Sequence, residues 1–181
     1  MRIQRKHLDK GYIQIYTGKG KGKTTAAIGQ AIRAAGEGYC SLIIQFMKEY
    51  PYSELKSLEN FKEFIEIEQY AGDEFVYKKE LPDEKEKAKA QLGLKRIWDE
   101  FEKNNFDIII LDEVNVSIYF KLIEVKDVTE LLKKKPENKE LILTGRYCPQ
   151  ELIELADIVT EMEEVKHYYT QGITSRKGFE S

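Results

Sequence analysis

The chain has 181 residues, a formal net charge of -3 and 41% hydrophobic residues, which fits one domain able to bury about 70% of the surface its unfolded chain exposes. The slight negative charge gives no general drive toward nucleic acid. Residues 1–11 are polar and no apolar run approaches the roughly 18 residues of a membrane span, while Cys40 and Cys148 are too few for a disulfide framework, so a cytoplasmic protein with reduced thiols and no membrane contact is expected.

Residues 1–10, with the isolated His7, lack periodicity and are expected to form an arm, leaving 11–181 as a single domain. Tyr12-Ile13-Gln14-Ile15-Tyr16 reads as a strand running into Thr17-Gly18-Lys19-Gly20-Lys21-Gly22-Lys23-Thr24-Thr25 and then Ala26-Ala27-Ile28. That is strand, glycine-rich turn and helix start. Glycines at alternate positions leave little side-chain bulk, so backbone N–H groups can turn toward an anion at a helix N-terminus, where the dipole also favours negative charge. Lys23 supplies a mobile cation for phosphate and the Thr24 hydroxyl suits Mg2+. Gly22-Lys23-Thr24 meets the end of the pattern G-x-x-x-x-G-K-[ST], although Thr17 stands in the place of its first glycine. A solvated, lysine-rich hairpin turn is the plainer alternative; the strand before and the helix after weigh against it.

A helix over 24–35 carries Ala27, Ile28, Ala31, Ile32 and Ala35 as a narrow apolar stripe, with Gly36 as its expected C-terminal cap. Ser41-Leu42-Ile43-Ile44-Gln45-Phe46 is a strand of the kind buried on both faces. A short helix over 53–61 and a strand over 64–68 follow. Residues 71–82 are irregular and hold Phe75 and Tyr77, which cover either core or a large flat ligand. The longest helix runs over 83–104, capped by Asp83, with Ala90, Leu94, Ile97, Trp98 and Phe101 on one face. A central strand over 107–113 ends in Asp112 and Glu113. Another helix around Val125, Val128, Leu131 and Leu132, a strand leading to Gly145 and Arg146, a short helix from Pro149 and a strand over 157–162 complete the pattern. Alternating strands and helices imply an α/β fold with a mainly parallel sheet and the site at the strands' C-terminal ends.

Asp112 and Glu113 sit where a Walker B acid would meet the ion near Thr24, and two acids opening a surface loop are the alternative. Arg146 follows a buried strand and has reach to neutralise phosphate charge; a surface salt bridge is the other reading. His7 and His167 have no catalytic partners nearby in sequence and are assigned no role.

Taken together, Thr17 through the two alanines after Thr25, Ile32-Arg33-Ala34-Ala35-Gly36, Gln45-Phe46-Met47-Lys48, Leu111-Asp112-Glu113, Leu143-Thr144-Gly145-Arg146 and Ala156-Asp157-Ile158-Val159-Thr160-Glu161-Met162 through Val165-Lys166-His167 resemble the ATP:corrinoid adenosyltransferases of the cobalamin-synthesis type, in order and spacing, over about residues 11–180. The resemblance implies a three-layer, RecA-like P-loop NTPase fold, a homodimer, an electron-donating reductase as partner, and transfer of the 5′-deoxyadenosyl group of ATP to the Co(I) of a corrinoid with release of triphosphate. It implies that Gly18, Lys19, Gly20, Lys21, Gly22, Lys23, Thr24 and Thr25 hold the triphosphate, that Thr24 and Glu113 ligate Mg2+, that Arg146 contacts phosphate, that Phe75 and Tyr77 face the corrin ring, and that the arm covers the site. Lys19 stands where the family more often has Asn or Asp, and Tyr77 where a Trp is common. A P-loop kinase or ATPase, and a nucleotide- or corrinoid-binding module without turnover, are the competing readings.

Overall fold

The computed structural model describes residues 3–47, 53–70 and 81–179; Phe75 and Tyr77 lie outside them. Six strands, β1 (Ile13–Thr17), β2 (Ser41–Gln45), β3 (Ile65–Gln69), β4 (Ile108–Asp112), β5 (Glu140–Thr144) and β6 (Ile158–Glu161), form one sheet in the order β3-β2-β4-β5-β1-β6. Every adjacent pair is parallel. All five residues of β2 and of β4 are buried, as continuous apolar strands covered on both faces must be.

Successive side chains along these strands serve opposite layers. Ile43, Ile110 and Ile142 meet Ala27, Ala31, Ala34 and Ala35 of helix α1 (Lys23–Glu37), where the small alanines let the helix lie close, and Leu58 of α2 (Ser53–Leu58) joins this side. Leu42, Ile44, Ile109, Leu111, Leu141 and Leu143 face the other layer. There they pack on Ala90, Leu94 and Ile97 of α3 (Glu84–Lys103), Ile118 of α4 (Val114–Tyr119), Leu131 of α5 (Val125–Lys133) and Leu152 of α6 (Gln150–Ile153). The result is the expected three-layer α/β arrangement. β6 is different: it is an edge strand with all four residues exposed.

Helix ends follow capping chemistry. Asp83 caps α3 by accepting from the Glu86 N–H at 2.8 Å, and the Glu86 carboxylate accepts from the Asp83 N–H at 2.9 Å, closing a capping box. Helix α1 does not stop at Gly36. It runs on to a left-handed Gly38 at φ 103°, whose N–H reaches the carbonyls of Ala34 and Ala35 at 3.1 Å. A Cβ at Gly38 would overlap the Gln4 carbonyl of the arm, whereas one at Gly36 would meet nothing within 4 Å. The segment expected as one helix over 53–61 is α2 followed by a single 3-10 turn, Glu59–Phe61. Helix α4 was not anticipated.

The arm, too, differs from expectation. Residues 3–11 pack at the N-terminal end of the sheet around the buried Asp107: the Cys40 and Leu8 N–H groups donate to its carboxylate at 2.9 and 3.2 Å, His7 Nδ1 lies at 3.2 Å and the Arg5 guanidinium at 3.6 Å. Within one chain the arm therefore lies at the end opposite the glycine-rich loop and does not cover it.

Candidate active site

The glycine-rich turn, residues 18–22, joins the C-terminal end of β1 to the first residue of α1, Lys23. Gly18 and Gly22 adopt φ of 94° and 115°, a region that an L side chain enters only with strain. The loop is seated against the end of β6: the Gly20 N–H donates to the Met162 carbonyl at 2.6 Å, and a Cβ on Gly20 would fall 2.7 Å from the Glu163 carbonyl. Thr17, in the place of the usual first glycine, is simply the buried last residue of β1, its carbonyl accepting from the Met162 N–H at 2.9 Å.

Lys23 is buried, and its ammonium donates to the Gly18 and Gly20 carbonyls at 2.9 and 2.6 Å. Burial pushes its pKa below the ordinary 10.5, Glu113 pulls it up, and the nearby Arg146 pushes it down further. Two cations thus repel one another in a space where one is already poorly hydrated. An anion placed between them relieves both penalties.

Across the sheet, the Thr24 hydroxyl donates to Asp112 Oδ1 at 2.7 Å. Thr144 Oγ1 donates to the same oxygen at 2.7 Å, and the Gln45 amide donates to Asp112 Oδ2 at 3.0 Å. Gln45 in turn accepts from the Gln69 amide at 2.9 Å, so one polar chain links the C-terminal ends of β3, β2, β4 and β5 to the first turn of α1. Glu113 follows Asp112 in the left-handed region, at φ 61°, and its N–H donates to Thr144 Oγ1 at 2.9 Å. This bend separates the two acids. Asp112 is locked among hydroxyls and amide, while Glu113 is half-buried in the wall of the cavity.

That cavity, about 960 Å³, lies at the strands' C-terminal ends and has room for a nucleotide. Residues 20–25, Glu113 and Arg146 all line it, whereas Gly18 and Lys19 do not. Phe120 and Tyr147, unremarked in the sequence, contribute aromatic wall, and His167 is also in the lining. The Thr24 hydroxyl beside carboxylate oxygens is a hard donor set that fits Mg2+. Among the described residues there is no group of three or more His, Cys, Asp or Glu side chains able to hold a metal by itself, so such an ion would share its coordination with phosphate and water. Neither cysteine is a candidate nucleophile: burial pushes the Cys148 thiol up to about 12 and raises that of Cys40 as well. No helix among the described residues is long and apolar enough to cross a membrane.

Comparison with known proteins relates the chain to others by fold and by sequence. In fold, the chain is similar to the flagellar accessory protein FlaH from Methanocaldococcus jannaschii, at 14% identity and a TM-score of 0.58 over 85% of this chain and 72% of that one. It is likewise similar to a KaiC-like protein from Pyrococcus horikoshii, at 16% identity and a TM-score of 0.52 over 88% and 75%. The fold is RecA-like. In sequence, it is 33% identical to a corrinoid adenosyltransferase of Sinorhizobium over 95% of this chain and 81% of that protein. It is 30% identical to the corrinoid adenosyltransferase of Escherichia coli K12, over 99% and 90%. The model of the family "ATP:corrinoid adenosyltransferase BtuR/CobO/CobP" matches residues 9–181. The chain belongs to this family of transferases.

Proposed function

We propose that this protein transfers the 5′-deoxyadenosyl group of MgATP to the Co(I) of a reduced corrinoid. Reduced cobalt is the nucleophile: a Co–C bond forms to C5′, the C5′–O bond breaks, and the electron pair leaves on the terminal oxygen of triphosphate. The chemistry needs positioning and leaving-group stabilisation and no general base. The observation that carries the reading is the convergence of Lys23 and Arg146 on a glycine-lined cavity in a chain of this family. The loop N–H groups, Lys23 and Arg146 hold the triphosphate and take up the charge that grows on it. Thr24 and Glu113 hold Mg2+, which when bound screens phosphate charge, and Asp112 orients the Thr24 hydroxyl. Phe75 and Tyr77 face the corrin. A homodimer, supplied with electrons by a separate reductase in the cytoplasm, completes the proposal.

The decisive measurement is the phosphate product. Incubation with MgATP and chemically reduced corrinoid should yield a light-sensitive Co–C bond together with triphosphate; ADP as the sole nucleotide product would replace alkyl transfer by phosphoryl transfer. Lys23→Ala and Glu113→Ala should each lower turnover by about 10²-fold or more with unchanged circular dichroism. Wild-type rates in both variants would remove the site.

A further inference from the structure

The cavity wall built by the end of β5 and by α4 carries aromatic surface that the phosphate cradle does not use. Tyr147 stacks on Tyr119 with ring centroids 4.2 Å apart and planes 26° from parallel, and Phe120 meets Tyr119 edge-on at 5.2 Å and 82°. These rings are not core: Tyr119, Phe120 and Tyr147 are 54%, 42% and 50% exposed. Tyr147 and Phe120 line the cavity beside Arg146. Holding Tyr147 there takes a φ of 62°, a left-handed conformation that a bulky aromatic residue rarely adopts and that clusters at functional sites.

We propose that Tyr147, backed by Tyr119, is the stacking surface for the purine ring of the nucleotide whose phosphates occupy the loop; this rests on the nucleotide reading of the site given above. A purine is a flat aromatic bicycle small enough to stack on one phenol ring, and it would continue the Tyr119–Tyr147 stack as a third layer, the offset arrangement that aromatic pairs favour. The corrin is the other flat substrate. It is far wider than one ring and carries amide side chains above and below its plane. Consecutive residues then divide the nucleotide between them, Arg146 meeting phosphate and Tyr147 meeting base. Phe120, edge-on to the backing ring, holds the stack in place.

The experiment is a calorimetric titration, without corrinoid, of MgATP and separately of magnesium tripolyphosphate into wild type, Tyr147→Ala, Tyr147→Phe and Tyr119→Ala. Stacking on one aromatic ring predicts that Tyr147→Ala weakens ATP binding about tenfold or more. Tripolyphosphate binding stays unchanged, Tyr147→Phe binds ATP like wild type, and Tyr119→Ala shows a smaller loss of ATP alone. Equal losses for ATP and tripolyphosphate, or ATP binding indifferent to residue 147, overturn the purine assignment and leave the phosphate site standing. A wild type that binds neither ligand overturns the phosphate site and this inference with it. Should Tyr147→Ala fail to fold, the exposed Tyr119→Ala gives the same discrimination between the two ligands.

Discussion

At the scale of single residues, Asp112 concentrates the design of the site. Its buried carboxylate takes the Thr24 and Thr144 hydroxyls on one oxygen, both at 2.7 Å, and the Gln45 amide on the other at 3.0 Å. Both oxygens must therefore accept, which a carboxylate does and a carboxamide does not. In Asp112→Asn the new amide must face either the hydroxyl pair or Gln45, and a buried donor loses its acceptor either way. Such a loss costs about 1–3 kcal/mol of stability, and turnover should fall about 10²-fold because Thr24 is no longer oriented. Urea melts and the product assay measure the two effects. Glu113→Gln is the informative companion: it faces the cavity, so it should lower turnover with little change in the melt. Unaltered turnover in Asp112→Asn would mean that Thr24 needs no partner, and the acid that matters would be Glu113 alone.

At the scale of elements, the glycines separate positions that a loop or helix end requires from positions that merely tolerate them. A Cβ at Gly20 would lie 2.7 Å from the Glu163 carbonyl and 2.8 Å from that of Met162. These are backbone atoms and cannot swing aside. Gly20→Ala must push the loop off the end of β6, and it should weaken tripolyphosphate binding about tenfold and lower Tm by roughly 2–8 °C. Gly36→Ala should do the reverse. Gly36 is interior to α1 with open space around it, so alanine there should add up to about 1 kcal/mol; a destabilised variant would mean that the helix ends at Gly36 after all. The sequence pattern favours Gly36 because it follows the last apolar residue of the stripe. What extends the helix is remote from that pattern, namely the arm: Gly38 packs on the Gln4 carbonyl, and its own carbonyl accepts from the Lys6 N–H at 2.9 Å. Helix α4 was hidden for a different reason. Val114, Val116 and Ile118 are β-branched and alternate, which reads as extended chain, and the left-handed Glu113 and burial of the segment override that preference. The glycine-rich loop, the continuous apolar strands and the capped α3 were legible because each rests on local chemistry. The Tyr119–Tyr147 stack was not, because it joins the last residue of α4 to the loop after β5, which only the sheet order brings together.

At the scale of the whole molecule, the parallel sheet sorts its work by end. All strand C-termini point toward the cavity, and the N-terminal ends are sealed by charge. Arg5, His7, Leu8 and Cys40 converge on Asp107, while the fully buried Lys139 and Glu100 lie 4.0 Å apart nearby, with burial lowering the lysine's pKa and Glu100 holding it up. If the ends are separable, cutting the arm loose should cost stability and spare the site. Asp107→Ala removes the shared acceptor and leaves the buried Cys40 N–H without its partner, at about 1–3 kcal/mol, or roughly 2–10 °C in Tm for a chain of this size. Residues 3–11 should then become open to trypsin at Arg5, Lys6 and Lys10. Affinity for tripolyphosphate at the far end should stay within about twofold of wild type, since sites this distant and without shared partners act independently. A variant that sheds its arm and also loses the anion would show that the N-terminal segment serves the site, either through the sheet or by reaching the site of a second copy. A variant that keeps both its melting temperature and its resistance to trypsin would show that Asp107 does not anchor the arm.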